Sequence, residues 1–283
     1  MLGRLLRRKK VPRAAEAETV PPSLVPNGDS QQGLSYLVAN LQGIGRRENQ
    51  EDSFAFGNAL DPRAVEENGL TAVVADGMGG LKGGKLASET AVAAVLAASQ
   101  TFDREGDLAA QLRAAAEAAD DAVFGHLRGA GGSTLVAAFV FHGKLYFVSV
   151  GDSYLFLLRN RRLFRLNRSH NVLNRDWLEA LEAGQSDPLP ALRNPEREAI
   201  TQFLGMGGLD EMDGFRRPLT LEAGDVLLLC SDGVGGVLSE DCLGSCLSHG
   251  TPEDMAQALE EEIRNINLKY QDNYTALIIQ CRG

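Results

Sequence analysis

No apolar run in this chain approaches the roughly 20 residues that a membrane-spanning helix needs, so a helical integral membrane protein is excluded. Cysteine is scarce, and Cys230, Cys242, Cys246 and Cys281 show no CxxC spacing, which disfavours a disulfide framework or a zinc ribbon. A reducing, cytoplasmic setting fits best. Cys242 and Cys246 stand one helical turn apart and read more readily as small residues on a helix face than as a metal site. His126, His142, His170 and His249 are scattered singly, against zinc chemistry. The chain has no internal repeat, and MLGRLLRRKKVPR lacks the apolar centre and cleavage site of a secretory signal.

What is present is a globular composition, with 44% hydrophobic and 23% charged residues over 283 positions, enough for one or two compact units. The net charge is -10, unevenly spread. Residues 1–13 hold six basic side chains and no acid, so the remainder carries 22 basic against 38 acidic residues, a balance of -16. Such a body repels nucleic acid and suits divalent cations. Residues 14–32, with Pro21, Pro22, Pro26 and Asn27-Gly28-Asp29, read as a flexible tether. Two parts follow: a basic N-terminal segment over 1–32 and a folded domain over 33–283. The basic tip could touch an anionic membrane surface or an acidic partner, though a solvated tail is the simpler reading. A monomer is expected.

From Leu34 the pattern predicts strands at 34–41, 53–56 and 70–75, then helices over 85–100 and within 106–127. Four strand-like runs follow at 133–141, 144–150, 154–159 and 162–166, whose short links predict an antiparallel meander. A helix over 171–183, a proline-containing excursion over 184–198, a strand at 226–231, a helix over 252–267 and a last strand at 274–280 complete the pattern. Antiparallel strands with helices in blocks predict an α+β layered domain.

Carboxylates recur where apolar runs end. Asp76 closes TAVVAD, Asp152 closes YFVSVGD and Asp232 closes VLLLCSD, while Glu51 and Asp52 precede Ser53 and Asp272 precedes Tyr274. A single Asp-Gly pair is usually an ordinary turn. Several carboxylates held rigidly at one sheet edge would repel one another unless cations neutralised them, and oxygen donors without His or Cys select hard ions such as Mg²⁺ or Mn²⁺. Gly79, Gly84 and Lys85 match a nucleotide loop only superficially, because Leu86 stands where Ser or Thr would bind Mg²⁺. The glycines read instead as room for backbone beside Asp76, with the Gly77 carbonyl as a further oxygen.

In this combination the chain resembles the metal-dependent Ser/Thr protein phosphatases (PPM, protein phosphatase type 2C) in their bacterial form. The matching stretches are GRRENQEDSF (45–54), VVADGMGG (73–80), GGSTL (131–135), VGDS (150–153), LLCSDGV (228–234) and DNYTALI (272–278), in the family's order and spacing. The resemblance implies a four-layer αββα sandwich, two antiparallel β-sheets flanked by helices, with two Mn²⁺ or Mg²⁺ ions at one end. By motif match Asp76 would bridge both ions, Glu51 and the Gly77 carbonyl would complete one, and Asp232 and Asp272 would hold the other. Asp52 would hydrogen-bond metal-bound water, Asp152 with Asp232 would hold a weaker third ion, and Arg47 would bind phosphate. The implied reaction is hydrolysis of phosphoserine and phosphothreonine in proteins by metal-activated water, without a covalent intermediate, opposing a bacterial Ser/Thr kinase.

The chain departs from the family pattern at several places. Met78 stands where animal members carry a histidine, as in bacterial members. Tyr154, Gln202 and Leu81 replace a usual Arg, Arg and His, and Ser169-His170-Asn171 replaces Asp-His-Ser. His170 could act as an acid but reads more readily as structural. Arg193 and Arg197 lie in the segment matching the family's flap and could steer phosphopeptides, though solvated loop charges are the safer reading. Two alternatives stay open: a phosphoprotein-binding pseudophosphatase, and a phosphatase for a small monoester.

Overall fold

A computed structural model describes residues 33–79, 83–187 and 189–283. The basic segment over 1–32 lies outside the described residues, as do Leu81 and Pro188.

Two antiparallel sheets of five strands form the centre. One has the spatial order β1 (Ser35–Gly43), β12 (Tyr274–Arg282), β11 (Val226–Cys230), β8 (Tyr154–Arg159) and β9 (Arg162–Arg165). The other runs β10 (Leu219–Thr220), β7 (Lys144–Val150), β6 (Leu135–Phe141), β3 (Leu70–Ala75) and β2 (Ser53–Gly57). Their central strands are apolar on both faces, which explains the stacking. Leu70, Ala72 and Val74 of β3 meet Leu227 and Leu229 of β11 and Leu277 and Ile279 of β12 between the sheets. Val73 and Ala75 face the other way, towards helices, as do Leu228 and Ile278 on the opposite sheet.

On the β3 side lie α2 (Gly83–Gln100) and α3 (Leu108–Leu127). Ala87 and Ala91 are fully buried, so α2 packs close to the sheet. Beyond β11 lie α7 (Glu240–Cys246) and α8 (Pro252–Ile266), with Met255, Leu259 and Ile263 buried at four-residue spacing. Each such side chain contributes about 1.5–3 kcal/mol by leaving water. Thr251 and Asp254 cap α8 reciprocally, worth about 1 kcal/mol. The remaining helices among the described residues are α1 (Pro62–Asn68), α4 (Val172–Glu182), α5 (Leu189–Arg193) and α6 (Asp232–Gly235). The layers are thus α, β, β, α, as the family resemblance implies. All four cysteines are free, and Cys242 and Cys246 sit half-buried on α7.

The predicted meander is corrected. β6 pairs with β7 and β8 with β9, but β7 and β8 belong to opposite sheets. Gly151, at φ 97, turns the chain across, and Asp152 lies on the link. Three extended residues reach about 10 Å, the usual spacing of packed sheets, so a short link serves crossing as well as pairing. The predicted strand from Ser133 is also split: Gly132–Ser133 (β5) pairs instead with Gly77–Met78 (β4) in a separate two-stranded ribbon.

Candidate active site

Loops at one end of the sandwich enclose a cavity of about 500 Å³. Its lining includes Arg47, Glu51, Asp76, Gly77, Asp152, Asp232 and Asp272, with Met78, Thr134 and Ile200. Residues as far apart in the chain as Arg47 and Asp272, 225 positions, therefore share one space, because the strands that carry them end on the same side. Asp52 does not line the cavity. It is fully buried behind the wall, where Ser231 Oγ donates to its Oδ2 at 2.8 Å and its Oδ1 has no partner.

The surroundings hold Glu51, Asp52 and Asp76 by bonds to their backbone. Thr134 N–H and Ser133 Oγ both donate to the Asp76 carbonyl, at 2.8 and 3.0 Å, and Asp76 N–H donates to Thr134 Oγ1 at 3.0 Å. Asn273, nearly buried, accepts from Glu51 N–H at 2.8 Å and donates to the carbonyls of Ile44 and Asn49 at 2.9 and 3.0 Å, tying the loop before β2 to the start of β12. Lys85 Nζ donates to the Asp52 carbonyl at 3.0 Å, and Ser88 Oγ donates to that of Glu51. The lysine of the apparent nucleotide loop thus braces the carboxylate strand. A Cβ on Gly77 would fall 2.1 Å from the Gly84 carbonyl oxygen, so only glycine admits α2 this close.

Sequence reasoning missed Thr134, Ser231 and Asn273. All three lie inside quoted motifs, but their bonds span tens to hundreds of residues and leave no local signal.

The electrostatics carry the mark of crowded acids. Burial first, then the neighbouring carboxylates of Asp52, Asp232, Asp152 and Asp272, push Asp76 well above the ordinary range. Burial raises Asp52 and Asp152 to about 6, with Asp232 adding to both shifts. Asp232 is raised by burial and by Asp272, while Asp76 stands within hydrogen-bonding reach of it. Asp232 Oδ1, like Asp52 Oδ1, is buried without a partner. Among the described residues only Arg47 supplies an opposing charge within the lining, and it pairs with Asp272.

Among the described residues no three acidic, His or Cys side chains close tightly round a common point. The carboxylates instead line the cavity walls. The donor set still fits hard divalent cations: it is oxygen-only, partly buried and acid-rich, with two orphaned carboxylate oxygens that a cation or its water would satisfy.

His170 is buried outside the cavity lining, its Nδ1 accepting from Gly151 N–H at 3.0 Å. Arg193 and Arg197 do not line the cavity, and Arg197 pairs with Glu198, whereas Ile200, just beyond that excursion, does line it. Tyr154 packs under the Arg165 guanidinium. Gln202 organises a loop, its Oε1 accepting from the N–H groups of Asp210 and Glu211.

A family model described as protein phosphatase 2C matches residues 44–270. The serine/threonine phosphatase stp of Listeria welshimeri is 30% identical over 251 residues, covering 83% of this chain and 91% of that protein. Protein phosphatase PhpP of Streptococcus pneumoniae is 29% identical over 212 residues, 72% of this chain and 82% of its own. The crystal structure of the Mycobacterium tuberculosis serine/threonine phosphatase PstP/Ppp superposes with a TM-score of 0.70 at 27% identity, covering 88% of this chain and 99% of that one. The catalytic domain of PstP in complex with two manganese ions gives a TM-score of 0.69 at 25% identity, over 89% and 100%.

Proposed function

The chain belongs to the protein phosphatase 2C family, among the bacterial Ser/Thr phosphatases, and from that premise we propose that it hydrolyses phosphoserine and phosphothreonine in proteins directly, with Mn²⁺ or Mg²⁺ as cofactor. The carrying observation is the single cavity lined by Glu51, Asp76, Gly77, Asp152, Asp232 and Asp272 with Arg47 beside them.

In this reading Asp76 would serve two ion sites. Glu51 and the Gly77 carbonyl would hold one, Asp232 and Asp272 the other, and Asp152 with Asp232 a weaker third. Divalent cations bound there supply water activation and charge neutralisation for attack on a phosphate monoester. Asp52, held by Ser231 at Oδ2 and with Oδ1 unpartnered, would accept a hydrogen bond from water at the ion site. The Arg47 fork grips phosphate oxygens, orienting the monoester. Met78 leaves no strong acid on that wall. The partners in this reading are phosphoproteins marked by a Ser/Thr kinase. No helix among the described residues is long and apolar enough to cross a membrane.

Every expected carboxylate is present, which supports turnover over phosphoprotein binding alone. Release of phosphate from a phosphothreonine peptide in Mn²⁺, lost in chelator, is the expected result. A protein that binds the peptide without Mn²⁺-dependent turnover, or that turns over a metabolite panel and not the peptide, overturns it.

A further inference from the structure

Helix α3 does not reach the cavity, yet it carries a buried acid that no ion pair explains. Asp120 is 1% exposed, and its two oxygens accept from the backbone N–H groups of Gly205 and Gly208 at 2.6 and 2.7 Å. Charge-assisted bonds to backbone are the strong kind, and both go to one loop. That loop is packed on both sides. A Cβ on Gly207 would come within 3.0 Å of the Phe124 ring on α3, and Val123 leaves no room for one on Gly205. On its other side Leu204 exchanges two backbone bonds with Ser133, at 3.0 and 2.8 Å.

Ser133 is the residue paired with Gly77 in the β4–β5 ribbon, and its Oγ donates to the Asp76 carbonyl. A continuous stack therefore runs from Asp120 through Leu204–Gly208 to Ser133 and on to Asp76 and Gly77. Close-packed glycine contacts line it: a Cβ on Gly132 would overlap Phe203 and the Leu204 carbonyl. Interiors packed this tightly pass a displacement on instead of absorbing it.

We propose that Asp120 is a positioning residue for the ion site, holding the Leu204–Gly208 loop against the ribbon and thereby setting where Asp76 and the Gly77 carbonyl stand. This rests on the metal-centre reading above. Supporting groups behind metal ligands change affinity by about 10- to 100-fold when altered. Asp120→Asn keeps the shape but gives up one of the two acceptors.

The test is calorimetric titration of the full chain with Mn²⁺, without substrate, beside thermal melting and amide exchange at Gly205 and Gly208. Asp120→Asn is expected to bind Mn²⁺ about tenfold or more weakly, to exchange those amides faster, and to regain much of its kcat in excess Mn²⁺. Leu108→Ala, in the core over three turns away on the same helix, is expected to lower Tm and leave Mn²⁺ affinity alone. If Asp120→Asn does not fold, Gly208→Ala takes its place: it keeps Asp120 and has open space for its Cβ, but strains the φ of 150 that aims the amide. Wild-type affinity in Asp120→Asn, or in Gly208→Ala where that variant replaces it, overturns the proposal. So does an equal loss in Leu108→Ala, which would make the effect one of general stability. A wild-type chain that takes up no Mn²⁺ sinks the metal-centre reading and this inference together, whereas normal uptake in wild type and variant alike sinks this inference only.

Discussion

Arg47 Nη2 lies 2.5 Å from Asp272 Oδ2, joining the residue expected to bind phosphate to one expected to bind metal. The carboxylate raises the already high Arg47 pKa, so the guanidinium stays charged. A cation on Asp272 competes with Arg47 for the same oxygens, and a phosphate competes with Asp272 for Arg47. Each ligand frees the partner that the other needs.

Arg47→Ala is accordingly expected to tighten Mn²⁺ binding in a substrate-free titration while raising KM for a phosphopeptide. The two side chains are 59% and 39% exposed, and exposed pairs are worth about 0–1 kcal/mol, so the Mn²⁺ gain is at most about fivefold. A variant that weakens Mn²⁺ binding would show that the pair supports the ion site instead of competing with it.

Asp76→Asn is expected to abolish Mn²⁺-dependent turnover and, in chelator, to melt no lower than the parent. Asp76 is crowded by four other carboxylates, so removing its charge relieves repulsion. Asp152→Asn, at the edge of the set, should lose less turnover. Phosphate release and melting curves run side by side decide this, and an Asp76→Asn variant with unchanged activity would reject the shared-ligand role.

Asn273→Ala removes three hydrogen bonds that tie the Ile44–Glu51 loop to β12. At roughly 1 kcal/mol each, with buried groups left unpaired, the expected loss is about 2–4 kcal/mol in denaturant unfolding. Mn²⁺ affinity should fall with it, because Glu51 loses its anchor.

Burial lowers the His170 pKa below its ordinary value. The unfolded chain therefore takes up this proton first as pH falls. The stability that neutral His170 contributes is complete above about 6.5 and declines as pH drops through that value towards the folded pKa. His170→Asn, which keeps an acceptor for Gly151 N–H, should flatten this part of the stability curve measured from pH 7.5 to 5. The pH profile of kcat should keep its shape, since His170 does not line the cavity. A lost acidic or basic limb of kcat would restore it as a proton donor.

The sequence alone determined the parts of this protein that depend on neighbours in the chain. Short, strand-like apolar runs predicted β3, β7 and β8 to the residue, and Thr251 and Pro252 announced α8. An acid after each buried run, together with the ordered motifs, was enough to name the ion-binding candidates and the αββα layering. Tertiary structure decided what depends on distance through space. Whether the chain pairs or crosses at Gly151 is settled by which faces of β7 and β8 meet the opposite sheet, and short links permit both. The Arg47–Asp272 pair, the Ser231 bond to Asp52 and the Asp120 anchor join residues 225, 179 and 85 or 88 positions apart. Such contacts arise only once burial has brought the strand ends together, because the energy that selects them comes from packing and desolvation, which no local run of residues records.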